Sequence, residues 1–339
     1  MRLIKTEDAV GHVLCHDMTQ IIKDQYKDAR FRKGHVVTEE DIPVLLSMGK
    51  EHLYVWEMTL GMVHENDAAE RLLTLCGQEN MLRSEVKEGK IELKAACDGV
   101  FLVDSARLVA VNSQDEVMIA TRKGGMAVRE GDKLAGMRVI PLIIEEEKLR
   151  KAEQAAGDKP LLSLKPYVRK TACIVATGGE VKKGLIKDTF TPVVIDKLKT
   201  YGIETLEVVY SGDGVENVRD AVLAMREKKP DMILCTGGMS VDPDDNTPGG
   251  IKAAGANIIA YGAPVLPGAM FLLGYFDDGM PVMGLPGCVM YAGATVFDLV
   301  LPKIAADVPV TRADLAALGE GGLCLGCKPC HYPICPFGK

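Results

Sequence analysis

"DMILCTGGMSVDPDDNTPGG", residues 231–250, opens with an apolar run that breaks at a Gly-Gly pair. Such a run, without polar alternation, suits a strand buried on both faces, as in a parallel sheet covered by helices. Downstream, Asp245 or Thr247 stands where a helix cap belongs, and Pro248 suits the first helical turn. Strand, glycine turn and helix in that order make one step of a βαβ unit.

The flanking sequence repeats the step. "TACIVAT" (171–177), "ETLEVVY" (204–210) and "MPVMG" (280–284) read as further buried strands. In 215–228, Val215, Val218, Val222 and Met225 recur at helical spacing, opposite Glu216, Arg219, Arg226 and Glu227. Residues 160–308 are therefore expected to form an α/β three-layer domain with a mostly parallel sheet.

Upstream, residues 1–85 read as a small mixed α+β region. Thr38-Glu39-Glu40-Asp41 resembles a helix start, "IPVLLSMG" a short helix ended by Gly49, and "HLYVW" a strand. Asn66 is placed to cap a helix "DAAERLLTLC" that Gly77 stops. Residues 86–150 read as a β-rich module with strands at "KIELKA", "GVFLV", "LVAVN", "EVMIAT" and "RVIPLII". "EEEKLRKAEQAAGDK" (145–159) reads as a solvated connecting helix.

Composition narrows the function. The 339 residues carry a formal net charge of −7, with 47% hydrophobic and 26% charged side chains. That argues against a broad basic surface for nucleic acid. No uncharged apolar run reaches the ~20 residues of a membrane helix, and the charged N-terminus lacks the apolar core of a secretory signal. A cytoplasmic protein with reduced thiols is expected.

Three strands run into glycine loops: "ATGGEVKKG", "CTGGMSVDPDDNTPGG" and "GLPG" (284–287). Ligands of open parallel sheets bind outside the carboxyl ends of the strands, so all three loops fall on the ligand side. Acids gather on the same edge: Glu180, Asp213, Asp242 and Asp245 read as a Mg²⁺ site, since Mg²⁺ takes one or two carboxylates plus water and substrate phosphate. The alternative is that Asp213 and Asp245 only cap helices. Asp244 reads as solvated loop, while Lys182 and Lys183 offer direct positive charge.

These residues resemble a family. "TGGMSVDPDDNTP" is similar to the signature loop of molybdopterin-binding domains of molybdenum cofactor biosynthesis. The order "ATGGE", "GLIKD", "GDG", "TGGMS", "PVLPG", "GLPG" is similar to the third domain of molybdopterin molybdenumtransferase. The resemblance covers about 168–305 and implies that the domain binds molybdopterin or its adenylylated form with Mg²⁺. The implied binding residues are Thr177, Gly178, Gly179, Thr236, Gly237, Gly238, Ser240, Thr247, Pro267, Gly268, Gly284, Pro286 and Gly287. Asp213, Asp242 and Asp245 would carry the catalytic role by positioning and charge neutralisation.

Departures from the family leave several functions open. Leu266 and Ala269 stand where the transferase family carries lysines around Pro-Gly, and Cys288-Val289 where it has Asn-Pro. A molybdenumtransferase is one reading; a non-catalytic carrier that delivers the pterin to a molybdoenzyme client is another. "PDDNT" also resembles the loop of competence-damage proteins, which implies a nucleotide pyrophosphatase. The transferase resemblance implies a homodimer.

The segment 320–339 ends in "CLGCKPCHYPICPFGK", with Cys324, Cys327, Cys330 and Cys335 spaced Cys-x2-Cys-x2-Cys-x4-Cys and Pro336 behind the last. The tail is too short and too rich in Gly and Pro to bury them, so metal ligation is expected, by an iron–sulfur cluster or Zn²⁺. His331 reads as a bystander. Cys97, Cys173 and Cys235, in or beside apolar strands, read as core.

Overall fold

The computed structural model describes residues 2–22, 26–55, 61–179, 185, 187–240 and 245–339. The chain forms two compact units. One comprises Met1–Ala96, Val103–Gly124 and Glu130–Ser163, the other Cys97–Leu102, Gly125–Arg129 and Leu164–Lys339. Among the described residues no helix is long and apolar enough to cross a membrane.

In the first unit the expected helix lies at Asp41–Ser47, with the Thr38 amide and hydroxyl donating to Asp41 Oδ2 at 2.8 Å each. "HLYV" pairs antiparallel with Arg2–Lys5. The helix Glu65–Cys76 starts one residue before Asn66; its cap is His64, whose Nδ1 accepts from the Asn66 amide at 3.2 Å. Met81–Arg83, Ile91–Ala95, Lys133–Val139 and Val117–Thr121 form a four-stranded sheet in that spatial order.

Two sequence expectations need correcting here. "LVAVN" belongs to a helix, Ser105–Asn112, because Asp104 caps it: its carboxylate accepts from the Arg107 amide at 3.1 Å and pairs with that residue's guanidinium. The β-branched valines suggested a strand, but a capped first turn outweighs their weak propensity. The charged helix, Glu146–Ala156, is amphipathic rather than merely solvated: Leu149, Ala152 and Ala156 are buried, and Glu153 takes a bidentate bond from Arg71.

The second unit holds the expected α/β domain. Its labelled elements are β1 (Thr171–Thr177), α1 (Phe190–Lys199), β2 (Glu204–Ser211), α2 (Val215–Glu227), β3 (Met232–Thr236) and α3 (Thr247–Ala253). They continue as β4 (Asn257–Tyr261), β5 (Leu272–Tyr275), β6 (Pro281–Leu285), α4 (Val296–Ala305) and α5 (Arg312–Ala317). The sheet order is β2-β1-β3-β6-β5-β4. β2, β1, β3 and β6 pair in parallel, β5 is antiparallel to both neighbours, and β5 is thus the one reversed strand of this sheet.

Alternation along the central strands builds both core layers. Ala172, Ile174, Met232 and Leu234 face one layer with Val194, Leu198 and Phe297 from α1 and α4. Cys173, Val175, Ile233 and Cys235 face the other with Val218, Val222 and Ile251 from α2 and α3. Side chains of period two with both sets buried are what a continuous apolar run encodes. The second glycine of "TPGG" serves this packing, since a Cβ on Gly250 would lie 2.4 Å from Val218 Cβ.

Outside the labelled elements, Met126–Val128 pairs with residues 99–101 and packs against α4. At the amino ends of β1 and β3, Asp231 accepts from the amides of Lys170 (2.6 Å) and Thr171 (2.8 Å) and from the Thr171 hydroxyl (2.9 Å). Burial alone would raise this carboxyl, but the hydrogen bonds and Arg169 outweigh it and hold the pKa below its ordinary value. A depressed carboxylate gives stability that is complete above its unfolded-state value and fades as pH falls through the folded one. Urea midpoints of the native chain should therefore drop below about pH 4. The Asp231→Asn variant should show a flatter acid limb.

Candidate functional site

At the carboxyl ends of β3 and β6 the chain turns sharply, and glycine is required there. Gly237 and Gly238 have φ of +82° and +56°. A Cβ on Gly237 would sit 2.4 Å from the Thr177 carbonyl oxygen. Three buried threonines brace this turn. The Thr177 hydroxyl donates to Thr236 O at 3.0 Å and lies 3.1 Å from the Thr247 hydroxyl. Thr247 holds the turn twice, donating its hydroxyl to Gly237 O (2.8 Å) and its amide to Gly238 O (3.2 Å).

This bracing has a testable cost. Thr247→Val keeps the shape but leaves Gly237 O without its hydroxyl donor in a site only 1% exposed. Urea unfolding should register a loss of about 1–3 kcal/mol, the penalty of stranding a buried polar group.

The acids sit against the same loops. The Asp245 carboxylate accepts from the Ser240 amide at 2.8 Å, and Asp213 Oδ2 accepts from the Gly179 amide at 3.0 Å. Each carboxylate therefore occupies a backbone donor of a glycine loop. Glu180, Asp242 and Asp244, with Lys182 and Lys183, lie outside the described residues.

A cleft of about 470 Å³ opens beside the braced turn. Its walls come from Gly237 to Ser240, Asp245, Ala269-Met270 and the run from Leu285 to Cys288, with Met290 and Tyr291 beyond. It thus joins the loops after β3 and β6 with the segment after Pro267-Gly268. Gly268, at φ +129°, sits so close to Val296 that a Cβ would lie 2.5 Å from it, and Gly284 lies under Met239. Thr177 adjoins the cleft through the threonine brace without lining it, and Gly178, Gly179 and Asp213 are not among the lining residues. Asp245 carries the one charge among the described lining residues.

A hollow beside β2 is larger, about 580 Å³. It follows the side of an edge strand, where no strand-end loop converges, so the chemistry points to the smaller cleft.

Sequence reasoning missed the cleft's sulfur-rich wall of Met239, Met270, Cys288 and Met290, and the Tyr261 hydroxyl, which donates to Met239 O at 3.0 Å. Loop methionines have no period to betray them. Burial pushes the Cys288 thiol up, and burial followed by the nearby Asp245 does the same for Tyr261.

The tail is not a free appendage. Phe337 is 2% exposed, Cys324 and Cys335 are half-buried against the α/β core, and Tyr332 donates its hydroxyl to Asp298 O at 3.0 Å. As expected, none of the four tail cysteines is buried, although Phe337 anchors the tail against the α/β core. Among the described residues no three His, Cys, Asp or Glu side chains gather as a metal site.

Residues 173–306 match the family described as "Probable molybdopterin binding domain". This domain is a member of the molybdopterin-binding domain family. Residues 3–57 match a family described as a domain of unknown function. The CinA-like protein of Mycobacterium tuberculosis is 33% identical over 76 residues, which are 22% of this chain and 18% of that protein. The chain thus spans less than a fifth of the length of this curated relative.

Two solved structures also align with the chain. The protein CinA with unknown function from Thermoplasma acidophilum is 18% identical, with 40% of this chain and 98% of its own covered and a TM-score of 0.34. The molybdopterin biosynthesis enzyme MoaB from Thermus thermophilus is 16% identical, with 42% and 98% covered and a TM-score of 0.36.

Proposed function

We propose that the molybdopterin-binding domain holds molybdopterin, or its adenylylated form, in the 470 Å³ cleft, and that the protein serves molybdenum cofactor biosynthesis. The observation that carries this reading is the braced Gly237-Gly238 turn at a cleft in the sheet's carboxyl edge, with Asp245 on its wall. The ligand phosphate is anionic, yet the described lining offers only a carboxylate. Mg²⁺ resolves this: when bound, it would neutralise phosphate and Asp245 together.

Asp245 would hold the cation, and the Ser240 amide that its carboxylate occupies in this structure would then be available to the phosphate, beside the amides of the glycine turn. Asp213 would do the same for Gly179, with Glu180 and Asp242 proposed as further ligands. Met239, Met270 and Met290 offer an adaptable apolar wall to the ring system.

In the first reading, the protein is a molybdenumtransferase-like enzyme that acts by positioning. A carrier that hands the pterin to a client enzyme is the second, favoured by the missing Pro-Gly lysines and by a described cleft lining without a cation. Molybdopterin, its adenylylated form, Mg²⁺ and molybdate supplied together separate the two readings. Binding with turnover supports the enzyme, binding without turnover the carrier, and absence of binding sinks both.

A further inference from the structure

The cysteine tail lies beyond the family match, which ends at residue 306, and the cleft chemistry makes no use of it. All ten cysteines are free thiols. Cys15, Cys76, Cys173 and Cys235 are buried, and burial pushes Cys76 and Cys235 up to about 12, so these stay protonated and unreactive. Cys97, which was expected in the core, and Cys288 are half-buried, as are Cys324 and Cys335 of the tail; the two exposed thiols, Cys327 and Cys330, both belong to the tail.

The backbone ties these four into one closed loop. The Gly338 amide donates to Gly321 O at 2.9 Å, bringing the two ends of the segment together as a neck. Beside the neck, the Leu266 amide donates to Gly322 O and the Cys324 amide to Leu266 O, each at 2.8 Å. At the other end Phe337 is buried, and Gly338 lies so close to Leu299 that a Cβ would be 2.4 Å from its side chain. Between these anchors, residues 325–331 are exposed to solvent.

We propose that the loop 321–338 is a metal site in which Cys324, Cys327, Cys330 and Cys335 hold one thiophilic centre, an iron–sulfur cluster or a zinc ion, through four thiolates. Three cysteines at successive x2 gaps, with proline behind the fourth, follow the pattern of iron–sulfur runs, and four thiolates also satisfy tetrahedral zinc. The described conformation does not gather three donors. The neck fixes Cys324 and Cys335, and the exposed stretch with Cys327 and Cys330 folds inward as each thiol gives its proton to solvent. In the described conformation Cys330 packs on Gly293, where a Cβ would lie 2.8 Å from its Sγ.

Anaerobic purification of the full chain, followed by metal and acid-labile sulfide analysis and visible absorption, tests this without any pterin. Iron with sulfide and broad visible absorption identifies a cluster; one zinc per chain and no sulfide identifies the mononuclear site. Cys327→Ser and Cys330→Ser, changes at exposed positions, should remove the metal while leaving the urea midpoint of the metal-free protein unchanged. Cys97→Ser, outside the tail, should retain it. The proposal is overturned by a metal-free protein that takes up neither added zinc nor a reconstituted cluster, or by metal retained in the Cys327/Cys330 double variant.

Discussion

Gly237→Ala is expected to abolish pterin binding and to lower stability by about 2–4 kcal/mol, from left-handed strain plus a backbone clash. The new Cβ would sit 2.4 Å from the Thr177 carbonyl oxygen and 2.8 Å from its hydroxyl, and a carbonyl in a central strand cannot rotate away. Relief must come from the turn, and moving it breaks the Thr247 bond that shapes the cleft. Gly255→Ala is the internal control: its φ is +92°, yet a Cβ there meets nothing within 4 Å. That variant should lose only the left-handed strain, about 1–2 kcal/mol, and bind normally. Urea unfolding and ligand titration on both proteins read the outcome, and equal behaviour of the two would remove the clash from the explanation.

Asp245→Asn separates charge from shape at the same site. The amide oxygen of the variant can still accept from the Ser240 amide, so the loop keeps its 2.8 Å closure while the negative charge is lost. With Mg²⁺ present, the ligand Kd should rise by about tenfold or more, a difference of ~1.4 kcal/mol. Without Mg²⁺ the two proteins should bind almost alike, or the variant slightly better, because a like charge has gone. Equal weakening with and without the cation would leave Asp245 as a loop closure through the Ser240 amide, with no metal role.

The parts of the fold legible in the sequence were those with one dominant physical cause. β1, β3 and β6 are buried on both faces, and their continuous apolar runs announce it. β4 and β5 were missed: "NIIAY" is only partly buried at the sheet's outer edge, and "LLGY" carries a glycine, so neither shows a run or clean alternation. Ser105–Asn112 was misread because its cap, Asp104, precedes the valines that dominate the local pattern.

The candidate site divides the same way. Gly237 and Gly238 were readable because left-handed backbone demands glycine. Partners fixed only in space were not. Nothing in the sequence says that Thr177 touches Thr247, seventy positions on, or that Asp245 turns back to the Ser240 amide.

The α/β unit is assembled from three passes of the chain, with 97–102 and 125–129 supplied by residues far upstream of β1. A cassette beginning at residue 164 would therefore lack two segments of its own unit. A fragment cut there would leave the face of α4 that meets Met126–Val128 open to water. Insertions that displace 97–102 or 125–129 would therefore disturb this unit although they fall far from β1 in the chain.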